Sequence, residues 1–207
     1  MYTLYSHPFS QHSRRVIALL EEAGLAYEAK TIDLGKAEHL SPHYLAINPN
    51  HQVPTLIGEG VKIHESGAIL RWLCTKHDLA DWYPVRLVER AETEQWLEWT
   101  QSRMQPAVVD IVLNTVFLGA DGDKAAIARG HKAMQELSGI LEASLEGRTW
   151  IAGTTLPSIA DLALGTNITH LALANAAPDS PNITAWLDHV LAIPGFAKAM
   201  PPQMANA

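Results

Sequence analysis

The spacing of apolar residues changes near residue 84. Before it, Met1-Tyr2-Thr3-Leu4-Tyr5 leads into a short strand over 2–5, and a polar, turn-rich stretch, Ser6-His7-Pro8-Phe9-Ser10-Gln11, follows. From about 13 to 23, Val16, Ile17, Leu19 and Leu20 recur at helical spacing with Gly24 just beyond, which predicts a helix ending there. Residues 26–32 alternate weakly, as a second strand would. Val53-Pro54-Thr55-Leu56-Ile57 and Val61-Lys62-Ile63 flank Gly58-Glu59-Gly60, the pattern of a hairpin. A helix is expected over roughly 66–77. The order β-α-β, loop, β-β-α describes a small mixed α/β sheet with helices packed on it.

After Pro84 only helical periodicity remains. A long stretch from about 86 to 118 contains Pro106, which removes one backbone donor and predicts a kink. Further helices are expected near 124–146, 158–173 and 182–192. Asp78-Leu79-Ala80-Asp81-Trp82-Tyr83-Pro84 reads as the connection between two units. The expected division is an α/β domain over 1–79, a linker over 80–85 and an all-α domain over 86–207. Met200 to Ala207 holds two prolines and no periodic pattern, so fraying is expected there.

Composition narrows the class. Of 207 residues 47% are apolar and 18% charged, enough for a packed core and unlike a disordered chain. No run approaches the roughly 18 consecutive apolar residues of a membrane span. The first residues lack the basic flank and apolar stretch of a secretion signal. The net charge of −7 argues against a general nucleic-acid grip, which requires a basic face. Cys74 is the only cysteine, which excludes an internal disulfide framework and a multi-cysteine metal site. A reducing cytoplasm is the expected location. His39 and His43 are spaced for a shared metal on a helix, but no third ligand accompanies them, and no metal is expected.

Three segments carry candidate chemistry. In Ser6-His7-Pro8-Phe9-Ser10-Gln11-His12-Ser13-Arg14-Arg15-Val16 a strand gives way to a helix, whose free N–H groups and dipole favour an anion. Ser10 and Ser13 place hydroxyls there. Either one, Ser13 foremost, also serves as a plain helix cap. In Asn48-Pro49-Asn50-His51-Gln52-Val53-Pro54 a proline opens a strand; an ordinary trans bond satisfies composition, while a cis bond would turn the Val53 backbone outward to pair with an extended peptide. In His64-Glu65-Ser66 a carboxylate and a hydroxyl precede an apolar helix, either as caps or as partners for an ammonium–carboxylate pair.

The order and spacing of these segments resemble the cytosolic glutathione transferases of the serine type, phi- and theta-like. That family joins a thioredoxin-like domain to an all-helical one. The resemblance places the family's catalytic serine on Ser10, its cis-proline strand on Gln52-Val53-Pro54, and its γ-glutamyl-binding pair on Glu65-Ser66. His39 falls where phi-like members contact the glycyl end of glutathione, and the neighbouring lysine frequent there is Leu40 here. The likeness continues through Asp81-Trp82-Tyr83-Pro84-Val85-Arg86, through Ser158-Ile159-Ala160-Asp161, a capping box, and through residues 181–196.

The family implies glutathione as co-substrate, no metal, a small hydrophobic electrophile and a homodimer. It implies a thiol whose anion is stabilised by the Ser10 hydroxyl, with Tyr5 and Ser13 as the competing donors. The electrophile is expected between the domains, against Phe9, Gln105, Val109, Leu113 and Phe117, unless these simply build the helical core. Glutathione-dependent dehalogenation or peroxide reduction, and a non-catalytic binding protein of the same fold, are the alternatives. Cys74 is read as a core residue, and Phe9-Ser10-Gln11-His12 stands where redox-active thioredoxin relatives carry a CxxC pair, which excludes a reductase using its own cysteines.

Overall fold

The computed structural model describes residues 1–204. Among them, β1 (Tyr2–Ser6), β2 (Tyr27–Thr31), β3 (Thr55–Gly58) and β4 (Val61–His64) form one sheet in the order β2-β1-β3-β4. β1 runs parallel to β2 and antiparallel to β3, with Leu4 opposite Leu56; β3 and β4 are the predicted hairpin. Strand alternation sends Tyr2, Leu4 and Ser6 inward. Leu4 and Leu56 meet Val16, Leu19 and Leu20 of α1 (Gln11–Glu22) and Ile69, Leu70 and Leu73 of α3 (Ser66–Lys76) in one buried cluster. Tyr5 points to the other face, its ring 6.0 Å from that of Tyr44 on α2 (Pro42–Ile47).

Two details differ from the sequence expectation at this end. The first helix begins at Gln11, two residues early, because Ser10 and not Ser13 is its cap: Ser10 Oγ accepts the Ser13 N–H at 3.2 Å. Ser13 is fully buried, and its own Oγ accepts the His7 N–H at 3.3 Å. The stretch between β2 and β3, expected as loop, contains a single 3₁₀ turn over Glu38–Leu40 and then α2. Ser41 caps α2 and Pro42 opens it, the local signal that the weak apolar periodicity hid.

The helical half starts with α4 (Leu87–Trp99) and α5 (Gln105–Val112). A wide π turn over Thr100–Met104 joins them, and a second one, Leu113–Phe117, follows. The expected disturbance at Pro106 takes this form. Gln105 donates its N–H five residues back to Thr100, so the ladder is re-registered before the residue that has no donor.

Then come α6 (Lys124–Ser144), α7 (Ile159–Ala172), α8 (Pro181–Leu191) and α9 (Pro194–Lys198). α7 is buried on all sides from Ile159 to Leu171, as a central helix must be. Its start carries the predicted capping box. The Asp161 carboxylate receives Ser158 N–H, Ser158 O–H, Ile151 N–H and the Trp186 indole at 2.8–2.9 Å. Burial pushes this carboxyl up, and those four donors pull it down.

The two halves interlock. Arg14 is fully buried and Arg15 nearly so, and both reach α7. Arg14 donates to Thr169 Oγ1 (3.0 Å) and Thr166 O (3.1 Å); Arg15 donates to Thr166 Oγ1 (3.2 Å) and Asn167 Oδ1 (2.7 Å). α9 packs on α1 so closely that a Cβ on Gly195 would stand 2.5 Å from the Ala18 carbonyl. At the front, Glu94 of α4 receives both Arg71 of α3 and the Tyr83 hydroxyl. The expected fraying from Met200 is not found through Met204: Met200 Sδ accepts from Arg14 at 3.0 Å, and Met204 is buried. Apolar side chains and a buried guanidinium hold a segment that has no periodic pattern of its own. Residues 205–207, the rest of that expectation, lie outside the described residues.

Candidate active site

Two helix N-termini and the loop before β3 converge on one cleft. Its walls are His12, Asn48, Gln52, Val53, Pro54, Glu65, Ser66 and Gln101. The Val53–Pro54 bond is cis, unlike the trans bond that composition alone favours. The loop ahead of it is pinned from behind: the Gln52 carbonyl accepts the Tyr44 hydroxyl at 2.6 Å and Asn48 Nδ2 at 2.9 Å. Glu65 precedes α3 with φ 67°, a conformation costly for a residue with a Cβ, and makes no side-chain cap bond. Its carboxylate is therefore exposed at the cleft rather than spent on the helix. Ser66, the first helical residue, is buried, and its Oγ lies 3.2 Å from His12 Nδ1.

The expected site residues fall into two groups. Gln52, Val53, Pro54, Glu65 and Ser66 share the cleft. Ser10 and His39 are not among its walls, although His12, two residues past Ser10, is. Ser10 is half-buried at the N-cap of α1 with its oxygen engaged as an acceptor, which leaves the hydroxyl proton free to donate. Tyr5 faces Tyr44 and has Lys30 Nζ 5.8 Å above its ring, on the sheet face covered by α2. His39 sits in the 3₁₀ turn with its ring 6.5 Å from that of His51 and a buried Nδ1 without a protein partner. His12, Asn48 and Gln101 were not singled out in the sequence. For His12 a signal existed, since it lies between the two candidate serines; Gln101 is placed by the path of the long helix alone.

The helical wall also resolves. Ala107, Val108, Ile111 and Val112 face the core, whereas Val109, Leu113 and Phe117 are 40–50% exposed. They are thus not core residues. Gln105 begins this row, its Oε1 accepting Gln11 Nε2 at 3.0 Å next to the first turn of α1. Phe117 ends it, stacked on His170 with centroids 6.0 Å apart. Phe9 stands opposite His7, ring to ring at 6.1 Å.

Beneath the first turn of α1 the potential is positive. Burial lowers Arg14 to about 10; burial and then Arg14 lower Arg15 to about 9. Their partners are two hydroxyls, a carbonyl, an amide and a sulfur rather than carboxylates. Burial, Arg14 and Arg15 together depress His170 to about 3, and burial, Arg15 and His170 hold His12 well below the usual imidazole range. Burial pushes the Cys74 thiol up to about 12, as befits a core residue. Among the described residues no three His, Cys, Asp or Glu side chains gather as metal ligands, and no helix is long and apolar enough to cross a membrane.

Comparison with known proteins agrees with this arrangement. Residues 1–75 match the family "Glutathione S-transferase, N-terminal domain", and residues 104–194 match "Glutathione S-transferase, C-terminal domain". The chain is 31% identical to glutathione S-transferase F10 of Arabidopsis thaliana over 197 residues, 91% of each chain. The theta class glutathione S-transferase of Xanthomonas axonopodis pv. citri, solved with glutathione bound, superposes with a TM-score of 0.88 at 28% identity over 96% of both chains. Glutathione transferase F7 of Populus trichocarpa superposes with a TM-score of 0.86 at 27% identity over the whole of both. With the fold, the cis-proline cleft and these matches in agreement, the chain belongs to the glutathione S-transferase family, among its phi- and theta-like members.

Proposed function

We propose that this protein conjugates the glutathione thiolate to small hydrophobic electrophiles, with the Ser10 hydroxyl stabilising the anion. The observation that carries this reading is the uncommitted hydroxyl proton of Ser10 at the N-terminus of α1, two residues before His12, which lines the cleft with Gln52, Val53, Glu65 and Ser66. A free cysteine-type thiol has a pKa of about 8.5, so only a few per cent is ionised at pH 7. Lowering it by about two units requires roughly 2.7 kcal/mol of differential stabilisation. One charge-assisted hydrogen bond, the N-terminal dipole of α1 and the buried Arg14 and Arg15 act in that direction. Ser10 is a donor here, and no proton leaves it.

In this reading the Val53 backbone, turned outward by the cis bond, pairs with the cysteinyl residue of glutathione. Glu65 and Gln52 take the γ-glutamyl ammonium, and Ser66 its carboxylate. His39 meets the glycyl end. Residues 1–79 bind glutathione, and the helical unit of 86–207 presents Gln105, Val109, Leu113 and Phe117, with Phe9 across from them, to the electrophile. The half-exposed apolar row from Val109 to Phe117 supports a hydrophobic second substrate. The acting form is a homodimer, a two-fold pair being the commonest oligomer, and the setting is the cytoplasm.

Calorimetric titration with glutathione, followed by a pH titration of the ultraviolet thiolate band of the complex, tests the proposal. Binding together with a thiol pKa well below 8.5 is expected. Binding with an unshifted pKa would reduce the protein to a glutathione-binding scaffold.

A further inference from the structure

His12 lines the cleft from the helix that Ser10 caps. It sits in the first turn of α1, and its imidazole crosses to the first residue of α3, joining the two helix N-termini that bound the cleft. Its Nδ1 lies 3.2 Å from Ser66 Oγ, and both residues line the cleft.

A hydroxyl has one proton and two lone pairs. If Nδ1 is bare, Ser66 gives its proton to the ring and turns lone pairs towards any ligand. If Nδ1 carries hydrogen, the ring donates to Ser66 and the hydroxyl proton is free. Only the second arrangement suits a carboxylate, which then meets the Ser66 O–H and the unpaired backbone N–H groups that open α3. A charged imidazolium would answer the same need, but burial with Arg15 and His170 nearby keeps the ring neutral. A neutral ring has one proton to place, and its position decides what Ser66 presents.

Resting on the glutathione reading, we propose that His12 is a positioning residue for γ-glutamyl recognition: its Nδ1–H donates to Ser66 Oγ and turns the Ser66 proton towards the α-carboxylate of glutathione. The residue touches Ser66 and not the sulfur, so it acts on co-substrate binding and leaves the chemical step alone.

Asparagine and glutamine separate this role from simple packing. The Asn Nδ2 falls near the imidazole Nδ1, whereas the Gln amide reaches nearer the far nitrogen. His12→Asn and His12→Gln are compared in the full chain, alone and with Ser66→Ala, using glutathione and γ-aminobutyryl-cysteinylglycine, which lacks the α-carboxylate. In His12→Gln the glutathione KM is expected to rise about tenfold with kcat within about twofold, as for a lost hydrogen bond to a charged group. His12→Asn stays within about threefold of the parent. Neither substitution alters KM for the decarboxylated analogue, and neither adds to the effect of Ser66→Ala. Equal losses in the two variants, an equal rise in KM for the analogue, or a fall in kcat matching the rise in KM overturns the proposal. Wild-type protein that binds no glutathione overturns the function itself and this role with it; tight wild-type binding with indistinguishable His12 variants overturns this role alone.

Discussion

Ser10 Oγ accepts the backbone N–H of Ser13 at 3.2 Å, so one oxygen caps α1 while its proton remains available. Replacing Ser10 therefore has two separable effects. Ser10→Ala should lower kcat about 10–100-fold with little change in glutathione KM, because the lost bond favours the anion and the transition state. It should also cost about 1 kcal/mol of stability through the lost cap. Ser10→Thr keeps both functions in the same position and should recover most of each. Steady-state kinetics and urea unfolding of the two variants check this; an unchanged rate in the alanine variant would move the donor to Tyr5 or Ser13.

Asp161 holds four donors from three parts of the helical unit. Asp161→Asn puts an N–H₂ where an acceptor is needed and leaves buried donors facing it. A loss of roughly 2–4 kcal/mol is expected, since each unsatisfied buried group costs about 1–3. Denaturant unfolding should show this with glutathione affinity preserved in the folded fraction, because none of the donors on the carboxylate lines the cleft.

Acid should destabilise the fold through His170. Its folded pKa is about 3, held down by burial, then Arg14 and Arg15, against about 6.5 in the unfolded chain. Between those values the unfolded state binds a proton that the folded state refuses, so stability falls as pH drops from about 6.5 towards 3. One such group gives a slope of at most about 1.4 kcal/mol per pH unit. His12 acts in the same direction. His170→Asn should flatten the limb without abolishing it, as read by unfolding midpoints over that range.

Leu113 and Val108 share a helical stretch but face different surroundings. Val108 is fully buried, and Val108→Ala should cost about 1–3 kcal/mol with electrophile KM unchanged. Leu113→Ala, at a half-exposed position, should cost under about 1 kcal/mol and raise KM several-fold for a bulky apolar electrophile, with glutathione KM constant. The opposite pattern would place the second substrate elsewhere.

Cys74 is buried on α3 with its thiol pushed up to about 12. It should resist alkylation by iodoacetamide in the native protein and react once urea unfolds the chain. Rapid native labelling would contradict its place in the core.

Much of the fold could be read from local pattern. The hairpin around Gly58-Glu59-Gly60 and the capping box at Ser158 and Asp161 depend on residues a few positions apart, so the sequence displays them directly. The helix breaks and caps are similar: Ser41-Pro42 carried a start signal for α2 that stronger neighbours masked. The cleft residues Gln52, Val53, Pro54, Glu65 and Ser66 were legible through family likeness, in spaced segments, because each segment contributes backbone and side-chain groups within a short turn.

What tertiary structure alone decided is which of these groups meet. His12 and Ser66 are 54 positions apart in sequence and in contact in space; nothing in the first turn of α1 announces its partner. Arg14 and Arg15 look like surface charges in the chain, yet α7, more than 150 positions away, buries both and so sets the positive potential beneath the site. The tail to Met204 has no periodicity, and the Arg14 bond to Met200 Sδ and the burial of Met204 give it a place. Local propensity acts over a few residues, whereas burial, charge and proton placement depend on every element packed against a group.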